Sequence, residues 1–306
     1  MLGLHRKDKI KNKPDKERVR KGTKHAKSAI SAIESPEILK FINKIICGDA
    51  QDVLSAIPSE SVDLIITSPP YNFGQSYAND PADDTHEWNS YFQRLEAVWR
   101  ESYRILKMGG RIAVNIQPLF SDYIPTHHII SSQLRDIGFL WKAEILWEKN
   151  NYNAKYTAWG SWQSPSMPYI KYTWEFIEIF DKGTHKKVGR REDIDITPLE
   201  FKKWVNGRWS FPPELNMREY HHPAVFPEEL PRRIMKLFSY RGDIILDPFN
   251  GVGTTTLVAA KVGRRFIGID IAEEYCKTAF GRLNELIRYP IGDGDDSSVA
   301  LTYWEK

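Results

Sequence analysis

Cysteine is nearly absent from this 306-residue chain, which carries only Cys47 and Cys276. Two cysteines cannot build the bridge framework of a small secreted domain. Both lie in apolar-periodic segments, so buried thiols are expected rather than a disulfide or a metal site. There is also no run of about 18 apolar residues, which argues against a membrane-spanning helix. The first residues lack the apolar core of a secretory signal, and no internal repeat is present. These absences point to a soluble, cytoplasmic, metal-free protein without a membrane partner. The length suits one α/β core with room for a sizeable insertion.

Charge of one sign is scarce overall, with a net charge of only +3, but it is unevenly spread. Residues 1–27 carry eleven Lys and Arg against three acids, which leaves a net charge of −5 on the remainder. Residues 1–35 therefore read as a basic N-terminal arm. An arm of this kind suits sequence-independent contact with phosphates. It equally suits a solubilising tail with too few apolar residues to form a core.

Beyond the arm, short apolar strands alternate with amphipathic helices, the pattern of an α/β sheet. Strands are expected at residues 44–47, 62–66, 111–116, 139–148, 174–180, 243–247 and 265–270. Helices are expected at 86–106, 129–138, 230–238 and 254–262, with Lys107-Met108-Gly109-Gly110 ending the first of them. Residues 183–222 break the alternation. They are rich in charge, proline and tryptophan and have no sustained period, which marks an insertion.

Asp243-Ile244-Ile245-Leu246-Asp247 reads as a buried parallel strand. It runs into Pro248-Phe249-Asn250-Gly251-Val252-Gly253, after which Thr254 opens a helix. The next strand ends in Asp270, 23 positions after Asp247. Strand, glycine turn, helix, strand and terminal acid make a nucleotide-binding βαβ unit. A nicotinamide dinucleotide fits it poorly. Its fingerprint needs a third glycine where Thr256 stands, and Asp247 would repel a pyrophosphate. The same carboxylate would attract the ammonium of an amino acid, and Asp270 is placed to accept hydrogen bonds from ribose hydroxyls. S-adenosylmethionine has both groups and no phosphate.

Thr67-Ser68-Pro69-Pro70-Tyr71-Asn72 follows directly on an apolar strand. Two prolines can be a plain turn or a polyproline ligand, but here they cap a core strand at the sheet edge where ligands bind. The exocyclic amine of a base has a lone pair conjugated into the ring. Acceptors aimed at its hydrogens favour the pyramidal, nucleophilic form. Ser68 offers an oxygen and Pro69 a carbonyl, on a backbone stiffened by proline; Tyr71 offers a face for stacking.

Ser68-Pro69-Pro70-Tyr71 resembles the (Asp/Asn/Ser)-Pro-Pro-Tyr motif of amino-group DNA methyltransferases, and Asp247 to Gly253 resembles their Asp-Pro-Phe-x-Gly-x-Gly cofactor loop. The motif comes first and the loop about 180 residues later, the circularly permuted order of the β class. Cys47-Gly48-Asp49, residues 106–110 and residues 222–227 resemble further stretches, so the likeness spans most of residues 44–285. It implies a Rossmann-like, mostly parallel seven-stranded sheet within a methyltransferase domain at 36–290, followed by a C-terminal tail at 291–306. It also implies in-line methyl transfer from S-adenosylmethionine to a base flipped out of duplex DNA. Ser68, Pro69, Pro70 and Tyr71 would form the catalytic turn. Asp247, Pro248, Phe249 and Asn250, with Gly251, Gly253 and Thr254, would cradle the cofactor. Asp270 would take its ribose and Asp49 the adenine side.

Serine at position 68 favours cytosine N4 over adenine N6, because Ser-Pro-Pro-Tyr members of the family are mostly cytosine enzymes. Residues 150–222, with 183–222 as the insertion, are the expected target-recognition region. Asn150, Asn151, Asn153, Lys155, Lys186, Lys187, Arg190 and Arg191 are its candidate base and phosphate contacts. Trp159, Trp162, Trp204 and Trp209 are expected to be packing anchors, and His221 and His222 structural. Glu175 is placed either near the site or as an ordinary strand residue. A cognate restriction endonuclease and a monomeric or homodimeric state are further expectations. An RNA or protein methyltransferase, or a non-catalytic DNA-binding regulator, would be the alternatives.

Overall fold

The computed structural model describes residues 35–71, 87–117, 123–150, 160–170, 172–214, 225–288 and 299–304. In chain order its regular elements begin with β1 (Lys44–Cys47), α1 (Ala50–Ala56), β2 (Val62–Thr67), α2 (Trp88–Ile105) and β3 (Leu106–Ile116). Next come α3 (Thr126–Ile137), β4 (Phe139–Glu148), β5 (Trp174–Lys182), α4 (Pro198–Trp204) and β6 (Arg208–Ser210). The chain continues through α5 (Glu229–Phe238), β7 (Ile244–Asp247), α6 (Thr254–Lys261), β8 (Arg265–Asp270), α7 (Glu273–Arg288) and β9 (Ala300–Tyr303).

The strands form one sheet in the order β6-β4-β5-β3-β2-β7-β8-β1-β9. Only β5 runs against its neighbours; the other pairings are parallel. Alternation along the central strands sends side chains to two cores. Ile65, Leu246 and Ile269 join the layer under α1, α2 and α3, while Leu64, Ile66 and Ile245 join the layer under α5, α6 and α7. In α2 the buried residues Tyr91, Leu95, Val98, Trp99, Ser102 and Ile105 recur at three- and four-residue steps, which is why one stripe of that helix meets the sheet.

The sheet has nine strands rather than seven because each edge gains one. At one edge β6, from the insertion, pairs with β4 so that Trp209 stands opposite Trp147. Both indoles are buried, and their N–H groups donate to the Trp204 and Phe211 carbonyls at 3.0 Å. At the other edge β9 pairs with β1, and the Trp304 ring packs against Phe41 with centroids 6.2 Å apart.

The expected turn at 107–110 is instead a bulge inside β3, since Val62 pairs with Leu106 and Leu64 with Arg111. Asp63 explains the detour. Its buried carboxylate takes the Lys107 and Lys187 ammonium groups, each at 2.7 Å, and the Ile244 amide at 3.0 Å. Burial alone would raise its pKa; the two lysines outweigh that and hold it below the ordinary aspartate value.

Candidate active site

β2 and β7 are neighbours in the centre of the sheet. From this pair the chain leaves toward β3 on one side and β8 on the other, so a crevice opens at their carboxyl ends, the switch point where open α/β sheets bind ligands. Ser68 follows β2 directly and Pro248 follows β7. Thr67 Oγ1 donates to Asp247 Oδ1 at 2.7 Å across a sequence separation of 180, and this bond joins the two sequence motifs.

A cavity of about 230 Å³ opens there. Every expected site residue except Gly253 lines it: Asp49, the turn from Ser68 to Tyr71, the loop from Asp247 to Gly251, Thr254 and Asp270. Gly253 sits behind the loop as the N-cap of α6 with φ +81°, and a Cβ there would stand 2.6 Å from the Ala279 Cβ. Glycine is therefore needed both for the left-handed backbone and for the approach of α7.

The two acids that end β7 and β8 are held from behind. Asp247 is 1% exposed and also accepts the Phe249 amide at 3.1 Å. Asp270 accepts the Gly251 amide at 2.7 Å on Oδ2 and the Ala272 amide at 2.9 Å on Oδ1. Desolvation pushes both carboxyls up to about 6, against the opposing pull of those donors. A buried carboxylate in this state gains most from a cationic or hydroxyl partner. Asn250 supplies a second sign of a polar ligand, because its buried Nδ2 has no partner among the described residues. Its amide is seated against Gly268, where a Cβ would fall 2.7 Å from it. Asp49 caps α1 by accepting the Gln51 amide at 2.9 Å, and its other oxygen faces Arg94 at 3.7 Å. These donors and acceptors fit a ligand with an ammonium group and ribose hydroxyls. Among the described residues no cluster of three or more His, Cys, Asp or Glu is arranged for a metal.

The turn from Ser68 to Tyr71 is equally supported. Tyr91 of α2 donates to the Pro70 carbonyl at 2.6 Å and so anchors the backbone of the turn. Ser68 Oγ donates to the Tyr71 hydroxyl at 3.0 Å. Tyr71 is 8% exposed, with its hydroxyl 3.5 Å from both the Asn115 carbonyl and Glu175 Oε2. Of the two placements open for Glu175, the structure gives the one near the site.

Several supporting residues escape a reading of the sequence. Thr67, Tyr91, Asn115 and Lys149 look like ordinary strand or helix residues and acquire their roles only across the fold. Arg94 is another such residue; its signal, a cation on the polar flank of an amphipathic helix, is too common to notice.

Within residues 150–222 two expectations are corrected. Lys187 is not available to nucleic acid: its side chain is 7% exposed, and its ammonium sits on Asp63 at 2.7 Å and Asp243 at 3.3 Å. Trp204 and Trp209 are packing anchors as expected, whereas Trp162 is 66% exposed. Asn150 accepts from Ser210 Oγ at 3.1 Å, and Arg190 pairs with Asp193 at 2.7 Å; Lys186 and Arg191 are exposed. Asn151, Asn153, Lys155, Trp159, His221 and His222 lie outside the described residues, as do residues 1–34 of the arm and residues 289–298. Cys47 and Cys276 are free thiols, and Cys276 is fully buried. No described helix is long and apolar enough to cross a membrane.

An α/β sheet with two buried acids and a glycine loop at its switch point, facing a proline-stiffened turn across one cavity, fits the class of S-adenosylmethionine-dependent methyltransferases. Residues 62–281 match the N6/N4 methyltransferase pattern of DNA methylases, and the chain belongs to that family. It is 31% identical to the type II methyltransferase M.MjaI of Methanocaldococcus jannaschii, across 75% of this chain and 87% of that protein. It is 34% identical to the DNA adenine methyltransferase YhdJ of Escherichia coli K12, across 80% of this chain and 84% of that protein. In three dimensions it resembles TTHA0409 of Thermus thermophilus, assigned as a DNA modification methylase and solved in complex with S-adenosyl-L-methionine. The TM-score is 0.65 at 26% identity, covering 86% of this chain and all of the other. The chain is thus a DNA amino-methyltransferase whose cofactor is S-adenosylmethionine.

Proposed function

We propose that this chain methylates the exocyclic N4 of cytosine at a specific sequence in duplex DNA. The reading rests on one juxtaposition above all: Ser68, just after β2, and Asp247, at the end of the neighbouring β7, are tied by the 2.7 Å Thr67–Asp247 bond and open into one cavity. When bound, the cofactor supplies an electrophilic methyl on a sulfonium sulfur. Asp247 takes the ammonium, Asp270 the ribose and Asp49 the adenine side, while the loop from Pro248 to Gly251, with Gly253 and Thr254 behind it, closes around the remainder. Ser68 and the Pro69 carbonyl accept the two amine hydrogens and turn the nitrogen lone pair toward the methyl. The Tyr71 ring stacks on the flipped base and offsets part of the few kcal/mol that unstacking costs. No strong base is required, because the amine becomes acidic once methylated and sheds its proton afterwards.

Serine at position 68 supports cytosine. Adenine N6 is the second reading, favoured by the likeness to YhdJ, which is named as an adenine enzyme. Similarity to a type II methyltransferase supports a cognate restriction endonuclease for the same site. The deciding experiment is transfer of labelled methyl from S-adenosylmethionine to unmethylated genomic DNA, followed by nucleoside mass spectrometry. The expected product is N4-methylcytosine, lost in Ser68→Ala and Asp247→Ala. N6-methyladenine would overturn the choice of base, and label in RNA or protein alone would overturn the substrate.

A further inference from the structure

A buried polar cluster next to the catalytic turn has no part in the reaction as described so far. Asn115 of β3, Lys149 just beyond β4 and Glu175 of β5 meet where these strands end. Lys149 Nζ is in direct contact with Glu175 Oε1, and Asn115 Nδ2 with Glu175 Oε2. The Glu175 side chain is 8% exposed. Taking such an ion pair out of water costs about as much as its attraction returns, and apolar residues would fill the same space at least as well. Stability therefore does not explain the cluster. Among the described residues it reaches the active site through the Tyr71 hydroxyl, 3.5 Å from Glu175 Oε2.

That hydroxyl has one hydrogen to give and two lone pairs to receive with. On its inner side stand two acceptors, the Glu175 carboxylate and the Asn115 carbonyl, both at 3.5 Å. Two donors are also in reach, Asn115 Nδ2 at 3.4 Å and Ser68 Oγ at 3.0 Å. A carboxylate is a stronger acceptor than a neutral oxygen, which favours a Tyr71 O–H turned inward, away from Ser68. In that arrangement Ser68 gives its own hydrogen to Tyr71, and its lone pairs are left facing the cavity. An amine offers hydrogens, so it needs Ser68 in this orientation. With the opposite one, Ser68 would confront the amine as a donor.

We propose that Glu175, held by Lys149 and Asn115, is a positioning residue that sets the direction of the Ser68 O–H bond through the Tyr71 hydroxyl, so that Ser68 meets the substrate amine as an acceptor. The proposal rests on the reading of Ser68 as the group that holds the amine. Glu175→Gln places an amide that can donate at the same spot and releases the Tyr71 hydrogen to turn toward Ser68. Tyr71→Phe keeps the ring and deletes the link.

The test is a double-mutant cycle on methyl transfer to duplex DNA, with kcat, the KM for DNA, the Kd for S-adenosylmethionine and the melting temperature measured for each form. Each single variant is expected to lose roughly ten- to a hundredfold in kcat, the scale of one preorganised hydrogen bond, with KM and Kd within about twofold of wild type. The double variant should be no slower than Tyr71→Phe alone, because both changes break one chain. Losses that multiply in the double variant would overturn the proposal, as would an unchanged kcat in Glu175→Gln or a loss confined to KM or Kd. Should Glu175→Gln fail to fold around the unpaired Lys149, Glu175→Gln/Lys149→Met removes both charges and is read the same way. No transfer by the wild-type chain would instead overturn the reading of Ser68, and the relay with it.

Discussion

Asp247 and Asp270 give the binding site a pH dependence that follows from their burial. Both are pushed up to about 6, first by desolvation, with the Thr67, Phe249, Gly251 and Ala272 donors offsetting part of it. A carboxyl with a raised folded pKa stabilises the free protein below the ordinary aspartate value, and that contribution is lost as pH rises through about 6. In the proposed binding mode the cofactor works in the opposite sense, because an ammonium and ribose hydroxyls would favour the ionised form. Affinity for S-adenosylmethionine should therefore be level near pH 7.5 and fall below pH 6, by about tenfold per unit for each acid that must first ionise. Titration calorimetry at pH 7.5, 6 and 5 checks this; a flat Kd would show that neither acid ionises on binding. Both acids were legible in the sequence because each closes a short strand beside a local motif. Thr67, Asn115 and Lys149 were not, since their partners lie 180, 60 and 26 positions away and nothing near them in the chain marks the contact.

Among the elements, β4 and β5 carry a conflict that predicts a stability change. Glu144 and Glu178 face each other in register, and Glu178 is buried. Burial, then the Glu144 charge, pushes the Glu178 carboxyl up to about 7. Its stabilising, protonated state is complete below about 4.5, erodes as pH rises and is gone above 7. Glu178→Gln removes that erosion. It should raise the melting temperature by roughly 2–6 °C at pH 8 and leave it nearly unchanged at pH 4.5, and an equal shift at both values would refute the assignment. Periodicity made β4, β5, α2 and the β7–α6–β8 unit readable, since each buries a full stripe or a whole short strand. It failed where an element is defined by its neighbours. β6 has three residues and β9 four, and each is added at an edge of the sheet, where Trp209 of β6 stands opposite Trp147 and Trp304, just after β9, packs against Phe41. The bulge in β3 read as a turn because its two glycines carry a turn signal, while its cause, Asp63, lies a strand away.

For the whole molecule, the sheet order does what no local segment can. It places two motifs about 180 residues apart on adjacent strands, so Ser68 and Asp247 open into one crevice. The body of the chain beyond residue 27 carries a net charge of −5, which by itself opposes the hold on DNA. A polyanionic duplex approaching that body is repelled on average, and the +8 of residues 1–27 is the largest compensating charge in the chain. Each phosphate neutralised by a lysine or arginine releases counterion, so the logarithm of affinity falls with that of salt by about 0.9 per contact. Deleting residues 1–27 should therefore weaken binding to non-specific duplex by at least about tenfold at 50 mM salt. It should also flatten the salt slope by roughly three or more, with the Kd for S-adenosylmethionine unchanged. Fluorescence anisotropy across 50–200 mM salt measures both quantities. Equal slopes with and without the arm would mean that the duplex is held by the folded body against its net charge. Local cations of the insertion such as Lys186 and Arg191 would then have to supply the phosphate contacts.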